Sequence, residues 1–192
     1  MAFTLKSLFV RDGDGEAVRA AYGAIVEQAR APGFYRALGV PDSAEGRFAM
    51  LALHGFLAMD RLGREAGQRD FSQALFDAMF ADMDRNLREM GVGDLSVGKK
   101  VTGLAQSFYA MAADCRAGLT AGDGGAALAG ALRHYVWRGA EPPPGAGQAL
   151  ADYALACAAL LAGQDAAEIG RGRIAFAPPP GGEKTSREEG ER

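Results

Sequence analysis

The sequence predicts an all-α protein, a single compact helical domain of six to seven helices followed by a disordered C-terminal tail, and three observations carry that prediction. Apolar residues recur at three-to-four spacing through most of the 192 residues. Of the eight prolines, which break helix interiors by removing a donor and clashing with the preceding turn, six form two triplets, Pro142-Pro143-Pro144 and Pro178-Pro179-Pro180. Convincing strand alternation is absent; Arg173-Ile174-Ala175-Phe176 comes nearest and is too short to form a sheet.

The elements follow in order. Val18, Tyr22, Ile25 and Ala29 fall on one face and predict a first helix from Asp14 that ends before Pro32. A short turn from Phe34 to Leu38 comes next. Ser43 can cap a helix running to about Ala66 that is apolar nearly all round from Met50 to Met59, the pattern of a central buried helix. Asp70 with Gln73 has capping-box character. The helix it opens carries Phe71, Leu75, Met79, Met83 and then Leu87 or Met90, widened by Phe76 and Phe80, until Gly91 closes it in a left-handed conformation. Ser96 is expected to cap a helix with Val97, Val101, Leu104, Phe108, Met111 and Cys115 on one side. Two shorter helices, about 125–137 and 147–163, flank the first proline triplet. Beyond Pro178 there is no large apolar residue, so ordering would cost entropy with nothing buried in return. The expected domain is therefore 1–177 and the expected disordered tail 178–192.

Composition narrows the function. Twenty-one basic residues against 24 acidic ones give a net charge of −3, without the basic excess of a nucleic-acid binder. The two cysteines, Cys115 and Cys157, have neither CxxC spacing nor a histidine cluster beside them, so no zinc, iron–sulfur or disulfide framework is written, and a reducing, cytoplasmic setting fits. Residues 1–10 are too short and too soon followed by Arg11-Asp12-Gly13-Asp14 to read as a signal peptide. The apolar run 149–162 carries Asp152 and falls short of the roughly 20 residues that span a bilayer. A soluble chain is expected.

Candidate chemistry is sparse. Gly93-Asp94-Leu95-Ser96-Val97-Gly98-Lys99-Lys100 matches GxxxxGK, but a phosphate loop needs Ser or Thr after the lysine and a buried strand before it, and this segment has Lys100 and an amphipathic helix. With Ser96 as cap, Lys99 and Lys100 would stand in the first helical turn, where the macrodipole prefers anions, an arrangement that folding alone does not call for. His54, inside the apolar helix, reads as a buried histidine bonded to backbone or carboxylate, since no serine or cysteine nucleophile is identifiable beside it. Asp82 and Asp84 point about 200° apart on a helix and cannot converge as an acid/base pair; ion pairs Asp84–Arg88 and Arg85–Glu89 are expected instead. No catalytic residue, metal site or cofactor is assigned.

Two stretches carry a specific likeness. They are Phe34-Tyr35-Arg36-Ala37-Leu38-Gly39-Val40-Pro41-Asp42-Ser43 leading into Gly46-Arg47-Phe48 and Leu53-His54, and the long ungapped run from Phe76 through Asp84-Arg85-Asn86-Leu87-Arg88-Glu89-Met90-Gly91 to Val101. Both resemble the ubiquinol–cytochrome c chaperone family, assembly factors of the cytochrome bc1 complex, over roughly Tyr22 to Leu119, after which the likeness fades.

That resemblance implies a non-enzymatic helical chaperone acting early in respiratory complex III biogenesis, with newly made cytochrome b as partner, and possible peripheral contact with the inner membrane. Mitochondrial members work with a small partner protein at the ribosome; without an N-terminal mitochondrial extension, this chain is similar to the bacterial members. No nucleic acid is expected to be read directly. Gly91, Val92, Gly93, Asp94, Lys99 and Lys100 are the candidate partner-binding residues. A competing expectation is a helical carrier or accessory protein for a small apolar ligand, with the Met/Phe-lined interior as its pocket.

Overall fold

Proline and glycine divide the chain into helices. In the computed structural model, which describes residues 12–181, the elements are α1 (Asp12–Ala29), α2 (Pro32–Ala37), α3 (Ala44–Gly63), a 3-10 turn (Ala66–Gln68), α4 (Arg69–Glu89), α5 (Asp94–Thr120), α6 (Ala126–Leu132) running into a π-helical turn (Arg133–Trp137), α7 (Ala146–Gly163) and α8 (Ala166–Gly170). No strand occurs among the described residues. The expected start of the domain, residues 1–11, lies outside them, and with it the reading of residues 1–10. The segment expected as a turn after Pro32 is the short helix α2, for which proline at the first position is pre-organised. The five-residue α8, opened by Asp165 accepting from the Ala167 amide, was not anticipated.

Helix α3 is central because it is apolar on every side. All eleven residues from Phe48 to Ala58 are buried, and α1, α4, α5 and α7 each pack against it. Burying a large aliphatic or aromatic side chain contributes roughly 1.5–3 kcal/mol, and Met50, Leu53, Phe56 and Leu62 of this helix are all fully or almost fully buried. Ser43 caps it as the sequence requires, its hydroxyl oxygen accepting from Gly46 N at 3.2 Å.

Two expected caps are corrected. Helix α4 begins one residue before Asp70, directly out of the 3-10 turn, so Asp70 lies inside the first turn and caps nothing. Gln73 turns forward and donates to Asp77 Oδ1 at 2.8 Å instead of reaching back. At α5 the cap position is Gly93, in extended backbone, and the helix starts at Asp94. Ser96 is the third helical residue, and its hydroxyl donates to Gly93 O at 3.1 Å. Lys99 and Lys100 therefore stand in the second turn. The helix-dipole effect falls off within the first turn, so the electrostatic anomaly expected of these lysines is absent, and the first turn carries the favourable Asp94.

Gly91 closes α4 as expected. Its φ of +83° is the left-handed region, Gly91 N donates to Arg88 O at 2.9 Å and Val92 N to Leu87 O at 3.0 Å, which is a Schellman closure. Helix α7 is the one helix among the described residues long and apolar enough to cross a membrane by length and composition. Here it packs as a core helix, with Leu150, Ala151, Tyr153, Ala154, Cys157 and Leu161 buried.

Candidate functional site

The six candidate residues lie on one hairpin tip, between the end of α4 and the second turn of α5. Val97, at 2% exposure, is the buried side chain of the tip. Arg88 spans the turn: Nε donates to Asp84 Oδ2 at 2.6 Å and Nη1 pairs with Asp94, so the last turn of α4 is joined to the first residue of α5. The expected Asp84–Arg88 pair is thus present. Arg85, expected to reach Glu89, turns back to Asp82 instead. Asp82 is a pre-set acceptor there, held by Tyr22 Oη from α1 at 2.9 Å and by Asn86 Nδ2 at 3.1 Å. The same contact, with burial as the larger cause, pushes the Tyr22 hydroxyl far above the usual tyrosine range.

This framework displays apolar groups to water. Leu95 is fully exposed and Met90 is 66% exposed; sequence reasoning offered Met90 to the core stripe and passed over Leu95. With α5 beginning at Asp94, Leu95 lies two residues from Val97 and so about 200° away from the face that α5 buries, whereas the expected cap at Ser96 leaves it outside the helix. Lys99 and Lys100 are exposed, and no ion pair involves them among the described residues. From Asp94 onward the GxxxxGK match is α-helix, preceded by another helix, so its amides are not arranged as a phosphate cradle. The arrangement suits contact with a macromolecule: apolar tips for burial, with Lys99 four residues on from Leu95 on the same helix face for steering.

A second polar constellation lies inside the molecule. His54 is completely buried. Met50 O can only accept, so His54 Nδ1 carries the proton and donates to it at 2.7 Å, and Nε2 accepts from Tyr153 Oη at 2.8 Å. Gln28 Nε2 donates to the same hydroxyl at 2.8 Å. Burial pushes the His54 pKa down to about 4, against an opposing contribution from the Met50 bond. The imidazole is therefore neutral at ordinary pH with both nitrogens engaged, which is a structural histidine.

The Met/Phe interior offered as a ligand pocket is closed: Phe34, Met50 and Met79 are at most 1% exposed, and no buried side-chain polar atom lacks a partner among the described residues. A cleft of about 300 Å³ opens at the surface between α3, α4 and α5. It is lined by Phe56, Met59, Phe76 and Tyr109, and crossed by Asp60, which accepts from Arg64 at 2.6 Å and Arg116 at 2.7 Å. Arg116 also stacks on Phe56 at 5.5 Å.

The tail expected from Pro178 begins against the helices. Pro179 and Pro180 are half-buried beside α2; residues 182–192 lie outside the described residues.

Comparison with known proteins adds the following. The family model described as ubiquinol–cytochrome C chaperone matches residues 36–176. The match runs well past Leu119, so the expected fading beyond that point is corrected; the helices after α5 carry the family pattern as well. The crystal structure of the Cbp3 homolog from Brucella abortus is similar to this chain with a TM-score of 0.77 and 35% sequence identity, covering 86% of this chain and 91% of that one. No curated protein matches.

Proposed function

Because the chain belongs to the ubiquinol–cytochrome C chaperone family, we propose that it is a non-enzymatic assembly factor of the cytochrome bc1 complex that binds newly made cytochrome b, with the α4–α5 tip as part of the contact surface. The observation that carries the choice of surface is the pairing of a fully exposed Leu95 with two lysines that make no ion pair among the described residues. A folding requirement accounts for neither. The protein would act from the cytoplasmic side of the membrane, where the newly inserted loops of cytochrome b are within reach, and a small partner protein could share the surface.

The test is charge reversal. With the lysines in the second turn, Lys99→Glu/Lys100→Glu is expected to leave the melting temperature within a few degrees of wild type. Co-purification of cytochrome b from native membranes is expected to fall several-fold, because reversed charge at an interface rim slows association. A double variant that is folded and recovers cytochrome b like wild type eliminates the tip. Deletion of the gene should lower assembled cytochrome b and bc1 activity while sparing other haem proteins; normal bc1 spectra in the deletion strain, with no second gene copy, reject the assignment itself.

A further inference from the structure

Residues 173–179 are neither helix nor strand, yet they are held closely: Arg173 pairs with Glu168, Ile174, Phe176 and Ala177 pack against the core, and glutamine side chains bond the main chain between them. The Gln164 carboxamide brackets Ala175: Nε2 donates to its carbonyl at 2.7 Å and Oε1 accepts from its amide at 3.0 Å. On the far side Gln28 Nε2 donates to Ala177 O at 2.9 Å. None of these bonds depends on which side chain the segment carries at 175 or 177. Between them one side chain is read. The Phe176 ring meets His54 edge-on at 5.2 Å and 85°, and His54 in turn meets Phe34 at 5.5 Å. Further along, Gly33 makes room for the main chain itself, since a Cβ there would come 2.0 Å from Pro180 O.

Amide side chains that bond the backbone of an extended segment, one pocket for a single anchor and a glycine floor are what a peptide-binding groove uses. We propose that the groove between α1, α2, α3 and α7 is a binding site for an extended polypeptide segment with one aromatic anchor flanked by small residues, held closed in cis by the chain's own residues 173–181. The groove's residues favour that chemistry. Its anchor pocket is aromatic and its imidazole neutral, so a charged anchor would be rejected. Three prolines pre-order the end of the cis segment, which lowers the entropy cost of keeping it seated. A tethered segment competes at an effective concentration in the millimolar range, so a free peptide gains access chiefly when the cis segment is weakened. The inference does not rest on the α4–α5 tip or on the identity of the partner proposed above.

The experiment uses the full chain with Phe176→Asp, which weakens the cis segment and leaves the groove intact. A labelled synthetic peptide of residues 173–181 is titrated against it and against wild type by fluorescence anisotropy, up to millimolar protein. The expected result is saturable binding at least tenfold tighter for the variant, reduced at least tenfold by adding Gln164→Ala, and absent for a peptide with aspartate in place of its phenylalanine. A variant with helical circular dichroism that binds no peptide, or binds it no better than wild type, overturns the proposal. Should Phe176→Asp fail to fold, hydrogen exchange on the wild-type chain decides. Opening of the Ala175 amide at least a hundredfold more frequent than that of the α3 amides supports a detachable segment; equal protection overturns it.

Discussion

The α4–α5 tip and the segment 173–181 both lie where regular helix stops, and they treat apolar side chains in opposite ways. The tip is closed by Gly91 and the Arg88 bridge, yet it leaves Leu95 and Met90 in water. The C-terminal segment is irregular throughout, yet it lays Phe176 against a histidine with no exposure at all. Regular structure and burial are therefore separable in this molecule: the tip is regular and leaves apolar groups in water, whereas the segment over His54 is irregular and covers a buried ring.

That contrast can be pressed from its most costly side first. His54→Ala removes a fully buried ring and with it the acceptor of the Tyr153 hydroxyl proton, while Gln28 still donates to that hydroxyl, and is expected to cost roughly 3–5 kcal/mol, read as a lowered urea midpoint at pH 7.5. A loss below about 1 kcal/mol would mean that the region over His54 is as dispensable to folding as the tip.

Acid probes the same contact without mutation. Above about pH 7.5 His54 is neutral in both the folded and unfolded chain and contributes no pH dependence. As pH falls from 6.5 towards its folded pKa of about 4, the unfolded chain takes up a proton that the folded one refuses, so stability drops by about 3 kcal/mol and then levels off. Urea midpoints measured between pH 7.5 and 4 should show this slope in wild type, and a His54→Gln variant should flatten it.

The smallest effect is expected at the tip. Leu95→Asp should change stability by no more than about 0.5 kcal/mol, as exposed substitutions do, while reducing recovery of cytochrome b from membranes. Unchanged recovery would make the exposed leucine incidental; a large loss of stability would erase the contrast from the other direction.

Most of the fold was legible because its determinants are local. The proline positions, the Ser43 cap, the glycine at 91 and the apolar run 50–59 each act within a turn or two of themselves, and each is found where the pattern places it. Asp70 and Ser96 misled for a physical reason. A side chain with capping chemistry caps only if the helix starts beside it, and the starts were set instead by a 3-10 turn and by Gly93. The network around His54 was half visible: the buried histidine and its backbone partner follow from the apolar helix, but Tyr153 lies 99 residues away and Ala177 lies 149 residues from Gln28. Glutamine bonds to main chain leave no periodic trace in a sequence. At the candidate site the glycines and lysines were legible as a group, whereas the exposure of Leu95 depended on where α5 begins.

The chain's one tryptophan has a practical consequence. Trp137 is 3% exposed at the end of the π-helical turn, and its indole N–H donates to Gly39 O at 3.0 Å, 98 residues away and just beyond α2. Its emission is thus a built-in optical gauge of whether the α2 corner is docked on the second half of the molecule. Because no other indole contributes, a red shift in that single signal reports separation of those two parts without any label having to be introduced.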